Sequence, residues 1–137
     1  MTYRDMIEDA KSRVRVVSKE ELERELASGE AVVVDIRDAR ERWDLGAIPG
    51  ARHVPRGMLE FWADPTSPYH KSFMDPNRRT ILHCAGGLRS ALAADTLMKL
   101  GYQDVAHLEI GLDGWRDEGG AVEQVPVPER YRGGEGE

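Results

Sequence analysis

Apolar residues follow two alternating rhythms along this chain. Short, mostly β-branched runs fall at "VRVV" (14–17), "AVVVDI" (31–36), "TILHC" (80–84) and "DVAHLEI" (104–110), with a brief extended piece inside "IPGARHVP" (48–55). The unbroken run at 31–36 suits a strand buried on both faces, as in a parallel sheet. Helical spacing lies between them. "YRDMIEDAKSRV" predicts an amphipathic helix using Met6, Ile7 and Ala10. In "SKEELERELASG", Ser18 caps, Glu21 completes a capping box, Leu22 and Leu26 face inward and Gly29 stops the helix. "DARERWDLG" (38–46) predicts a helical turn or two with Asp38 as N-cap. "LRSALAADTLMKLG" (88–101) is the strongest helix, with Ala93, Ala94, Leu97, Met98 and Leu100 apolar and Gly101 at its end. "RGMLEFWADP" and "SPYHKSFMDP", each closed by Asp-Pro, predict two short helical pieces within 56–79, and "LDGWRDEGG" another short helix.

Strands alternating with helices from residue 14 onward predict one α/β domain over 1–137, its mostly parallel sheet having about five strands flanked by helices. The core is expected over about 14–123, leaving a Pro/Gly/charge-rich tail at 124–137 with a frayed end. In such sheets ligands bind outside the carboxyl ends of the strands. Asp35 and Arg37, Cys84, and Glu109 fall at those ends.

A net charge of -6 argues against a general nucleic-acid or anionic-membrane surface, but leaves room for a local basic pocket from Arg37, Arg40, Arg42, Arg52 and Arg56. No apolar run approaches the roughly 20 residues needed to span a bilayer. The N-terminus is too acidic and polar for a signal peptide. One cysteine allows no internal disulfide and no cysteine-rich zinc site, and the four histidines lack metal-ligand spacing. No metal or other cofactor is expected. The expected compartment is the cytoplasm, which keeps a thiol reduced.

The single cysteine stands at a strand-to-helix junction in "ILHCAGGLRSALAAD". If the helix starts near Leu88, the "AGG" between must curl tightly, with Gly86 and Gly87 taking unusual backbone angles. Successive N–H groups then point inward as a nest at a helix N-terminus, and an anion there is stabilised. The nearest anion is the sulfur, so the cradle favours a thiolate. Arg89 adds a positive charge, and Ser90 can donate a hydrogen bond nearby. The competing reading is an inert cysteine filling the core at a strand end.

"VVVDIRDARERWDLGAIPGARHVPRG", "ILHCAGGLRSALAADTLMKLGY" and "VAHLEIGLDGW" together resemble the single-domain rhodanese sulfurtransferases, in order and spacing, from Val32 to Trp115. The family pattern is an Asp-Val-Arg strand end, a Gly-His-Ile-Pro-Gly-Ala turn, a C-x-x-x-x-R-[ST] loop and a late Gly-Gly…Trp segment. The resemblance implies that Cys84 is the nucleophile. It would take a sulfane sulfur from a donor such as thiosulfate, hold it as a persulfide and pass it to cyanide or a thiol. Arg89 joins Cys84 in the catalytic set. Ala85, Gly86, Gly87, Leu88 and Ser90, with Asp35 and Arg37, form the expected binding set. Two positions depart from the pattern: Ala47 replaces the turn histidine and Ile110 the first late glycine.

Asp35 is expected to support the loop or cap the following turn. Arg37 is read either as attracting an anionic donor or as a surface arginine, and Glu41 as an exposed or salt-bridged helix residue. Arg89 is expected either to pair with a carboxylate and hold the loop in shape, the favoured reading, or to meet the substrate directly. His83 precedes Cys84 on a strand, so it should face the other way and not act as a base. Two other functions compete. A cysteine phosphatase or arsenate reductase shares the cysteine, cradle and arginine, but those families typically place five residues where "AGGL" supplies four. A rhodanese-like binding module without turnover is the alternative of a different class. The expected partners are a small sulfur donor, a thiol or cyanide acceptor and a sulfur-accepting protein, with no nucleic acid or membrane.

Overall fold

The structure is a computed structural model in which residues 1–132 are described. Its elements run α1 (Tyr3–Lys11), β1 (Arg15–Val17), α2 (Lys19–Ser28), β2 (Val32–Asp35), α3 (Ala39–Leu45), β3 (Arg52–His53), α4 (Leu59–Ala63), β4 (Thr80–His83), α5 (Leu88–Lys99), β5 (Val105–Leu108) and α6 (Gly111–Asp117). The five strands make one sheet in the order β1-β5-β4-β2-β3, and every pairing is parallel. β4 is therefore the central strand. β2, β4 and β5 are buried along their whole length, as the unbroken apolar runs predict.

Side-chain alternation divides the interior into two cores. On one face Val32, Val34, Leu82, Cys84 and Val105 pack under Ala93, Ala94 and Leu97 of α5 and Leu59 and Ala63 of α4. On the other, Val33, Ile81, Ala106 and Leu108 pack against Leu22 of α2 and Leu112 and Trp115 of α6. α1 lies along α5, and Arg13 ties the two by donating to both oxygens of Asp95 (2.9 Å each).

Helix termini follow local chemistry. Ser18 and Glu21 form the expected capping box on α2, and Gly29 closes it at φ 70°. Asp38 and Glu41 form a second box on α3. Three expectations need correction. Met6 is half exposed, and α1 buries only Ile7 and Ala10. Met98 of α5 is also partly exposed, on the helix's outer side. "SPYHKSFMDP" forms no helix. Pro65, Pro68 and Pro76 remove donors along this stretch, which folds as turns such as Ser67 to His70 and Lys71 to Met74.

The segment after α6 returns to the domain. Glu123 and Ala47 exchange backbone hydrogen bonds of 2.8 and 2.9 Å as an antiparallel bridge. Further on, the Tyr131 ring lies 5.4 Å from that of Trp43. The remainder of the tail expected to fray, residues 133–137, lies outside the described residues.

Candidate active site

Cys84 is the first residue beyond the central strand, and its side chain is 1% exposed. Two backbone amides converge on its sulfur: Gly87 N–H donates to Sγ at 3.2 Å and Ser90 N–H at 3.4 Å. These are free N–H groups at the start of α5, which has no side-chain cap, so the sulfur accepts what a capping residue otherwise would. The loop's carbonyls are engaged elsewhere. Leu112 N–H donates to the Cys84 carbonyl (2.9 Å) and Asp113 N–H to that of Ala85 (3.1 Å), so the first turn of α6 braces the loop.

One glycine of the expected pair needs its freedom. Gly87 sits at φ 91°, and a Cβ there would lie 2.1 Å from the Glu109 carbonyl oxygen. Gly86 has no positive φ and open space where its Cβ would be, so the loop's curl does not rest on it. The second constrained glycine is Gly111, at φ 64° with a Cβ position 2.2 Å from the Ala85 carbonyl oxygen. The "IGLDG" segment therefore presses directly on the cysteine loop, and Ile110 stands beside that contact as the residue preceding α6.

Arg89 makes the carboxylate pairing expected of it, and the partner is Glu41. Nη1 and Nη2 each donate at 2.8 Å to a separate Glu41 oxygen, a two-pronged ion pair between α5 and α3. Arg89 holds the Glu41 carboxyl down at about 2, with the Asp38 N–H helping against partial burial. Glu41 in turn raises Arg89 above the usual guanidinium range. A depressed carboxyl adds stability above its ordinary value of 4.5 that fades as pH falls toward 2. The urea midpoint of the native protein should therefore exceed that of Glu41→Gln at neutral pH, and the gap should close across this acid window. A gap independent of pH would show that the pair does not hold the loop.

Asp35 and Arg37 are placed differently from the expected binding set. Both side chains are fully buried. Arg37 donates from N, Nε and Nη2 to Asp35 at 2.8–3.0 Å and from Nη2 to the Gly46 carbonyl at 2.7 Å, and Arg42 Nε adds a bond to Asp35 at 3.2 Å. Alternation along β2 turns Asp35 away from the Cys84 face. The pair thus braces the strand end and the turn before Ala47, and Arg37 is no surface arginine. Four of the five arginines of the expected basic pocket are engaged separately. Arg37 and Arg42 serve Asp35, Arg56 pairs with Glu60 at 2.9 Å, and Arg52 lies 4.1 Å over the Phe73 ring.

His83 is buried 3.9 Å from Asp35, on the face opposite the thiol, and burial lowers its proton affinity. Ser90 reaches the sulfur through its amide, while its hydroxyl lies 2.8 Å from Nδ1 of His107, a buried residue of β5 that motif reading passed over. Leu88, half exposed at the rim, lines a groove of about 520 Å³ with Tyr3 and Ile7 of α1. Glu109 is exposed and pairs with Lys11 at 3.7 Å. The 56–63 stretch packs Leu59 and Ala63 into the core on the Cys84 face.

A lone thiol at the end of the central strand of a parallel sheet, cradled by amides and flanked by a clamped arginine, defines a class of α/β domain built around one cysteine loop. Residues 18–118 match the family model for the rhodanese-like domain, and the chain belongs to that family. It is 32% identical over 107 residues to a sulfurtransferase of Allochromatium vinosum, covering 77% of this chain and 92% of that one. A probable adenylyltransferase/sulfurtransferase, MoeZ, of Mycobacterium tuberculosis is 31% identical over 100 residues. That match takes in 72% of this chain and about a quarter (24%) of MoeZ. Among solved structures, a Rhodopseudomonas palustris protein of unknown function, described as a possible tyrosine phosphatase, superposes with a TM-score of 0.85 at 43% identity. That likeness covers 90% of this chain and 95% of the other.

Proposed function

We propose that this protein is a sulfurtransferase that moves a sulfane sulfur, from thiosulfate or a persulfide, to cyanide or a thiol through a persulfide on Cys84. The observation that carries this reading is the convergence of the Gly87 and Ser90 amides on Sγ. The Cys84 thiolate attacks the outer sulfur of the donor. The donor's S–S bond breaks, its electron pair leaves with the departing sulfite or thiolate, and a new S–S bond joins the transferred atom to Cys84. The acceptor then attacks that outer sulfur and Cys84 departs as a thiolate. Amide donors aimed at the site stabilise the negative sulfur in both steps.

With one cysteine in the chain, no internal relay thiol exists, so the acceptor comes to Cys84 itself. Small thiols, cyanide and a sulfur-accepting protein are the proposed acceptors, and the sulfurtransferase names of the Allochromatium and Mycobacterium relatives support this chemistry. A reducing compartment such as the cytoplasm suits the working thiol. Among the described residues no helix is long and apolar enough to cross a membrane.

Treatment with donor alone should add the mass of one sulfur atom to the protein, and cyanide or a small thiol should remove it. Initial rates should show ping-pong behaviour, because donor and acceptor use one site in turn. A protein that never carries the extra sulfur, with any sulfane donor, would leave the binding-module reading in its place.

The name given to the Rhodopseudomonas relative makes phosphate-ester hydrolysis the second reading to test. Four residues, Ala85 to Leu88, separate Cys84 from Arg89, and both terminal guanidinium nitrogens of Arg89 are occupied by Glu41. A small ring with its arginine already paired fits one added sulfur better than a tetrahedral oxyanion. Hydrolysis of a generic aryl phosphate should therefore stay near background while sulfur transfer proceeds. Efficient phosphate release that requires Cys84 would reverse this assignment.

A further inference from the structure

Resting on the sulfur-transfer reading above, we propose that the donor this site selects is an organic hydropersulfide, R–S–SH, and not the thiosulfate dianion. The charges around the thiol carry the choice. Cys84 is 1% exposed, so the donor's reacting sulfur has to leave water to meet it. Desolvating a dianion is costly unless cations stand ready to receive it, whereas a neutral sulfur carries little such cost.

The cations at that end of the sheet are already matched. Both terminal nitrogens of Arg89 are held by Glu41 at 2.8 Å, and Asp38 adds a second carboxylate beside the pair. Arg37 and Arg42 serve Asp35 behind the sheet, Arg56 pairs with Glu60 at 2.9 Å, and Lys11 pairs with Glu109 at 3.7 Å. Glu41 and Arg42 turn inward from α3, which leaves Arg40 on its outer side with Asp44, both exposed. Alternation along β5 from Val105 puts Glu109 on the face of Cys84, a further negative charge there. The loop's own side chains, from Ala85 to Leu88, carry no charge, and the Gly87 and Ser90 amides are taken by Sγ itself.

What the rim offers is apolar. Leu88, half exposed, belongs both to the loop and to the groove of about 520 Å³ that it shares with Tyr3 and Ile7. Of the charged residues lining that groove, Arg4 stacks 4.9 Å over the Tyr3 ring and is outnumbered by Asp5 and Glu8. The carbon skeleton of R suits such a surface; the oxygens of a sulfonate do not. The step balances without a further reagent. The Cys84 thiolate attacks the outer sulfur of R–S–SH, the Sγ–S bond forms as the donor's S–S bond breaks, and the electron pair leaves with RS⁻. The proton stays on the transferred sulfur, leaving Cys84–S–SH.

The test loads Cys84 from each donor alone, thiosulfate or cysteine hydropersulfide, and follows the added mass by rapid quench from about 0.01 to about 1 M sodium chloride. The hydropersulfide should load at least about 10-fold faster. Loading by thiosulfate should rise as salt screens the carboxylates, while loading by the hydropersulfide, whose reacting form has no net charge, should hardly change. Leu88→Lys sets an unmatched cation in the loop and should raise thiosulfate loading about 10-fold without raising hydropersulfide loading. Glu109→Gln frees Lys11 and should act in the same direction by a smaller factor. Three results would overturn the assignment of the donor: thiosulfate loading that equals or exceeds that of the hydropersulfide, thiosulfate loading that falls as salt is added, or no response to either substitution. In each of these Cys84 still takes up sulfur, so the transfer reading stands. If neither donor ever adds sulfur, the transfer reading itself fails.

Discussion

Replacing Cys84 by serine should abolish sulfur transfer, by about 10⁴-fold or more, while leaving the domain folded. A hydroxyl can accept the Gly87 and Ser90 amides where Sγ now does, so the loop keeps its two inward bonds. What it cannot do is ionise near neutral pH or form a persulfide. Burying a hydroxyl among Val34, Ile36 and Leu82 in place of sulfur should cost about 1–2 kcal/mol, small enough to retain a cooperative melt. Mass spectrometry should find no added sulfur on the folded variant. Residual transfer near the native rate would place the chemistry on another residue.

Gly87→Ala should be the most damaging change in the loop that leaves every reactive group intact. The backbone at φ 91° disfavours an L-residue by about 1–2 kcal/mol. The new Cβ would also need the space of the Glu109 carbonyl oxygen, 2.1 Å away, so α5 or the end of β5 has to shift. A displacement of that size at the amide that holds the sulfur should cost roughly 100-fold in transfer rate. Stability should fall by about 2–4 kcal/mol. Gly86→Ala is the control: its Cβ meets nothing, so stability should stay within about 0.5 kcal/mol of native. Urea melts and rate assays on both would decide the matter, and equal effects would mean that the close approach at Gly87 does not shape the loop.

Much of this was readable from residue order. Alternation of β-branched runs with capped helices led to the five-stranded parallel sheet, and Ser18 with Glu21, and Asp38 as an N-cap, marked two helix starts to the residue. The cysteine loop was legible because its composition has few other uses. Contacts that depend on strand order were harder to see. Glu41 looks like any glutamate at the third position of a helix. It meets Arg89 because β2 and β4 are parallel neighbours, which sets the loops after them side by side. Had that pairing been inferred first, Glu41 was the carboxylate to choose. Asp35 and Arg37 misled for a related reason: a strand's end locates the crevice, but the strand's alternation decides which side chains see it. Gly111 carried no signal of its own, since its role lies in the close approach to the Ala85 carbonyl of the loop.

The sheet's centre and its edges should also exchange amide hydrogens with solvent on very different timescales. β4 is flanked by β2 and β5, each buried throughout, whereas the edge strands β1 and β3 are three and two residues long. Opening an edge strand exposes little apolar surface; opening β4 requires the whole domain to come apart. The thiol is thus tethered to the slowest-exchanging strand, and its position is as durable as the native state itself.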